Sequence, residues 1–103
     1  MSQQAKVVMT LISDNMFLGP QTSMTTSWGI DNINVWWFHA VPKIGQSTFP
    51  RKIQIDKVRV ATTESTKFRA YITITNPDPP MPTQEGWPDG CYFKLYVASA
   101  SPI

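Results

Sequence analysis

Nine prolines are strewn between Pro20 and Pro102 of a 103-residue chain, and they constrain its fold more than any other feature. A proline inside an α-helix removes a backbone donor and clashes with the carbonyl four residues back, which costs about 3 kcal/mol. Between the prolines, no twelve-residue stretch keeps a 3.6-residue apolar period with good helix formers. The chain offers instead short runs of β-branched and aromatic residues, punctuated by Gly, Pro and Asn. That is the pattern of an all-β protein.

The runs can be placed. Lys6–Ile12 reads as a first strand, ended by the turn cluster Ser13-Asp14-Asn15 and followed by a short apolar patch at Phe17-Leu18. Thr22–Trp28 alternates Thr22, Met24, Thr26 and Trp28 against Ser23, Thr25 and Ser27. Ile33–Val41 is apolar on both parities. Lys52–Thr62 carries Ile53 and Ile55 on one parity and Val58 and Val60 on the other, which predicts a β-bulge near Asp56-Lys57. Phe68–Thr75 places Phe68, Ala70, Ile72 and Ile74 inward, with Arg69, Tyr71, Thr73 and Thr75 outward. Cys91–Ala98 repeats this with Cys91, Phe93, Leu95 and Val97 inward, and Tyr92, Lys94 and Tyr96 outward. Ala61–Lys67 reads as a hairpin loop. Residues 76–90 hold five prolines and read as a long extended loop of the kind that often carries function. Together these features predict one domain over residues 1–103, an antiparallel β-sandwich or small barrel of six to seven strands.

Composition removes several functions. A single cysteine, Cys91, allows no intramolecular disulfide, and with a single histidine it cannot assemble a structural zinc cluster. The run Val7–Ile12 is too short for a signal-peptide core, and nothing approaches the 18 apolar residues of a membrane span. The expected chain is soluble and stays in the cell or leaves without a conventional signal. A net charge of +2 is too small to announce a nucleic-acid-binding protein by itself. Charged residues make up only 16%, while Ser, Thr, Asn and Gln are plentiful, as on extracellular-type β domains, shells and sugar-binding proteins. Neither a nucleophile elbow nor an HExxH motif occurs, so the expectation is binding without catalysis and without a cofactor or metal.

The candidate binding residues fall in two places. In the stretch NINVWWFHAVP, residues 32–42, the adjacent Trp36 and Trp37 point to opposite faces of a strand. Either both faces are covered, one of them by a loop or a neighbouring subunit, or one tryptophan is free to stack a ligand, Trp36 being the first choice. His39 follows on the same strand. The proline-rich loop adds Asp78, Glu85, Trp87 and Asp89. Read together, Trp36, His39, Asp78, Glu85, Trp87 and Asp89 suit a lectin-like carbohydrate-binding module, with glycans as partners and a homo-oligomer supplying avidity. The alternative is a structural or assembly subunit of a capsid, shell or appendage. In that reading Arg69 and Tyr71 join Tyr92, Lys94 and Tyr96 on one basic-aromatic face if their strands pair. Lys57 and Arg59 extend that face toward nucleic acid or a neighbouring subunit.

Overall fold

A computed structural model describes residues 6–31, 34–43, 52–64, 67–82 and 89–101. They form six antiparallel strands: β1 (Lys6–Leu18), β2 (Thr22–Ile30), β3 (Val35–Pro42), β4 (Gln54–Glu64), β5 (Lys67–Asn76) and β6 (Cys91–Ser101). No helix occurs among the described residues. The strands make two three-stranded sheets, ordered β1-β6-β3 and β2-β5-β4. The sheets stack with β1 over β2 and β3 over β4. Only β4 and β5 are both consecutive and paired; every other connection crosses between sheets. The molecule is 17 Å across its thinnest dimension, which suits two layers about 10 Å apart.

The alternation expected of the two cleanest runs is observed. Ala70, Ile72 and Ile74 of β5 and Cys91, Phe93, Leu95 and Val97 of β6 are buried. The residues between them are only half-buried. Because β5 and β6 are each the central strand of a sheet, their inner side chains meet across the sandwich. Each large one stabilises the fold by roughly 1.5–3 kcal/mol. Met24, Trp28 and Ile30 of β2, Phe38 and Ala40 of β3, and Ile12 and Met16 of β1 pack around that centre. The bulge expected at Asp56 is present, as a register shift between Ile55 and Lys57 against β5.

Two boundaries are corrected. Ala61–Lys67 is not all loop, because β4 runs to Glu64 and β5 begins at Lys67, with Ala61 paired to Arg69 and Thr62 to Phe68. Ser13-Asp14-Asn15 is not a turn, because β1 runs through it to Leu18 with register shifts at Leu11/Ser13 and Ser13/Met16. An edge strand has a partner on one side only, so it can absorb three polar residues as bulges without breaking a second ladder. Phe17 and Leu18 thereby belong to β1. Leu18 enters the core, and the Phe17 ring packs at 51° on Tyr92 with centroids 4.7 Å apart.

The end of the sandwich that carries the 77–90 connection is closed by polar groups. Asn76 is fully buried and donates Nδ2 to the Leu18 carbonyl at 3.0 Å. Its Oδ1 accepts the Asp78 backbone N–H at 3.0 Å. The Asp78 carboxylate in turn accepts the Lys52 N–H at 2.9 Å. Leu18 ends a strand of one sheet and Asn76 ends a strand of the other, so this chain of hydrogen bonds ties the two layers together.

Candidate functional site

The two sheets present unlike outer faces. On β1-β6-β3, pairing places residues in three cross-strand rows: Val7–Ala100–Val35, Met9–Ala98–Trp37 and Leu11–Tyr96–His39. Directly paired residues share a face. Tyr96 and Ala98 lie on the parity opposite the inward Leu95 and Val97, so these rows face away from the core. None of the nine positions is Lys, Arg, Asp or Glu. The large side chains there are open to solvent: Met9 and Val35 are both 62% exposed and Trp37 is 43% exposed, with Val7 and Leu11 similar. On β1 the exposure extends to both faces, because Val8 and Thr10 on the core-facing parity are exposed as well.

The outer face of β2-β5-β4 is polar and basic. Its rows run Ser23–Thr75–Gln54, Thr25–Thr73–Lys57, Ser27–Tyr71–Arg59 and Gly29–Arg69–Ala61. Hydroxyls bond across the strands, Ser23 with Thr75 at 2.7 Å and Thr25 with Thr73 at 3.1 Å. Arg69 donates to Ser27 Oγ at 3.3 Å, and the Arg59 guanidinium carbon sits 5.0 Å from the Tyr71 ring centroid. Thr25, Lys57, Arg59, Tyr71 and Thr73 line a shallow concavity of about 240 Å³. At one end of this face the Thr75 hydroxyl and the Gln54 amide both donate to Asp56. Thr75 first and Gln54 second hold the Asp56 carboxyl below its ordinary value of 3.8.

Among the described residues, those expected to bind a ligand are not brought together. Trp36 is half-buried on the core-facing parity of β3, level with Phe38, and its Nε1 donates to Asp31 at 3.4 Å. Trp37 is the exposed tryptophan of the pair, so the expected assignment is reversed. The reason is register: Trp36 pairs with Ser99 and Trp37 with Ala98, which puts Trp36 on the same parity as Val97. His39 is exposed, on the opposite face from Trp36. Asp78 is buried and occupied by a backbone N–H, and Asp89 accepts the Met81 N–H at 3.0 Å, so both organise the loop. Glu85 and Trp87 lie outside the described residues.

The single basic-aromatic face is also corrected. Its two strands, β5 and β6, do not pair; each is the centre of a different sheet. Arg69 and Tyr71, with Lys57 and Arg59, lie on one side of the sandwich, and Tyr92, Lys94 and Tyr96 lie on the other. Sequence reasoning missed the apolar outer face, although Val7, Val8 and Met9 in succession already signalled a strand apolar on both parities. Among the described residues no group of three His, Cys, Asp or Glu side chains gathers to hold a metal, and no helix is long and apolar enough to cross a membrane. No protein-family model matches the chain, and neither does any curated protein or solved structure.

Proposed function

We propose that the chain is an assembly subunit whose β1-β6-β3 outer face packs against a second copy of itself. The observation that carries this reading is the charge-free block of nine positions that exposes Val7, Met9, Leu11, Val35 and Trp37. Such a surface is complementary to itself, whereas a charged partner would lose hydration there without gaining an opposite charge. Trp37 also has Met9 and Ala98 as its neighbours across the sheet rather than the amides and carboxylates that would orient a sugar.

Magnitudes set the strength. Five side chains left about half-exposed would each gain roughly 1 kcal/mol on burial, so a symmetric contact gains on the order of 10 kcal/mol from both copies. Association costs about 4–15 kcal/mol before any such gain appears. At the low end of that cost the net is about 6 kcal/mol, a dissociation constant of about 40 μM, and at higher cost one face holds two copies only when more copies or edge pairing add to it. The test is sedimentation: particle mass by analytical ultracentrifugation over a concentration series to about 1 mM. The expected result is mass rising with concentration, abolished in Met9→Gln and Trp37→Ser variants with unchanged circular dichroism. A monomer throughout, or variants that associate like the parent, would overturn the reading.

A further inference from the structure

We infer that the outer face of β2-β5-β4 binds the phosphate groups of a single-stranded nucleic acid, centred on the concavity beside Tyr71. Lys57 and Arg59 project from the same edge strand in adjacent rows, and Arg69 projects from the central strand one row further. The contact with the Tyr71 ring restricts the Arg59 side chain before any ligand arrives, which lowers the entropy lost on binding. Thr25 and Thr73 share one hydrogen bond at 3.1 Å. Two hydroxyls hold two hydrogens and that bond uses one, so one O–H remains to donate to a phosphate oxygen. Among the described residues no carboxylate lines the concavity. Asp56, at one end of this face, already accepts from Thr75 and Gln54.

The shape selects the form of the ligand. A volume of about 240 Å³ is small for a drug-sized molecule and suits a phosphate with part of its sugar. A sheet face has no helix or ribbon to insert into a duplex groove. It does suit an extended strand, because Arg69, Tyr71, Thr73 and Thr75 repeat along β5 every two residues, about 6.7 Å apart. The planar guanidinium of Arg59 over Tyr71 offers a surface on which a base can stack.

The test is fluorescence anisotropy of a labelled 20-nucleotide oligo(dT) with the full chain, titrated in salt. Three phosphate contacts predict a log–log salt slope of about −2, an affinity loss of about 20-fold between 50 and 200 mM. Lys57→Ala with Arg59→Ala, both exposed positions, should bring the slope to about −0.7 with circular dichroism unchanged. Absence of binding at 50 mM salt, or a double variant that binds like the parent, would overturn the inference. Equal binding of a sulfated oligosaccharide of matched charge would overturn it too, since stacking would then contribute nothing. Retention of binding in Met9→Gln would show that this surface acts independently of self-association.

Discussion

Asn76→Ala is the substitution that most directly probes how the two sheets are held in place. The side chain is fully buried, and it spans from the end of β5 in one sheet to the Leu18 carbonyl at the end of β1 in the other. Truncation orphans that carbonyl and also the Asp78 N–H that Oδ1 accepts. Each buried unsatisfied group costs about 1–3 kcal/mol, and local relaxation recovers part of this, so the expected loss is about 3 kcal/mol. In a domain of this size each kcal/mol lowers Tm by roughly 4–8 °C, which predicts a fall of about 12–24 °C. Urea denaturation at 25 °C followed by circular dichroism reads the loss directly. A second variant sharpens the reasoning. Asn76→Asp keeps the acceptor but removes the donor, and it sets a carboxylate beside Asp78, whose own carboxylate is held by Lys52 N–H. It should be at least as destabilised at neutral pH. It should recover on acidification, because a protonated carboxyl can donate to the Leu18 carbonyl. A loss below about 1 kcal/mol in Asn76→Ala with an unchanged m-value would refute the clamp, since water would then be satisfying both groups.

Two further predictions concern local geometry and pH. A Cβ at Gly90 would lie 2.6 Å from the Leu18 carbonyl oxygen and against the Phe17 ring, at a φ of +154° that side chains rarely adopt. Gly90→Ala should therefore cost about 3 kcal/mol, and an unaltered urea midpoint would show that the backbone at Leu18 and Gly90, as well as the Phe17 ring, gives way freely. Asp56 is held below 3.8 chiefly by the Thr75 hydroxyl, so its contribution is complete above that value and is lost as pH falls through the lower folded value. Thr75→Val should move the Asp56 titration midpoint up toward 3.8 by carboxyl-carbon NMR; an unmoved midpoint would assign the shift elsewhere.

That carboxylate also shows what strand arithmetic can read. The parity change from Ile55 to Val58 located the bulge because a period of two tolerates no other way to keep both pairs of residues on one face. The same arithmetic placed the inward residues of β5 and β6, where burial on one side is nearly complete. It failed at Trp36 and Trp37 because both parities of β3 are apolar, and then only the pairing partner decides which side is inner. It failed again for the basic-aromatic face because two strands with matching alternation need not be neighbours: β5 and β6 are both central, each in its own sheet. Asp78 and Asp89 looked like ligand groups because they sit in a proline-rich loop. Prolines supply no N–H, so donors left there, those of Asp78 and Met81 among them, find side-chain acceptors in Asn76 and Asp89, while Asp78 itself accepts the N–H of Lys52 from outside the loop. Neither aspartate could be assigned that role without knowing where β5 ends.

A sandwich of two three-stranded sheets has four edge strands among six, and edges left bare invite pairing with other chains. Here they are not treated alike. The middle of β4 alternates Lys57 and Arg59 with Val58 and Val60, the latter 54% exposed, so charge alternates with apolar surface along that edge. β1 has no such protection: from Val7 to Ile12 there is no charged residue and no proline, and Val7 to Leu11 are all exposed. From Lys6 to Leu11 its other side is paired with β6, so among the described residues the open row of backbone groups is left to water or to a further strand. An unprotected apolar edge that runs directly into the apolar outer face of the same sheet makes one continuous surface around β1. If that surface is the subunit contact, a charge placed at the edge should break it as effectively as one on the face. Val8→Lys lies off the outer face, on the core-facing parity where it is already exposed, and should leave the fold intact while reducing self-association at least 10-fold by sedimentation. Association undiminished by Val8→Lys but lost in Trp37→Ser would confine the contact to the face and leave the β1 edge outside it.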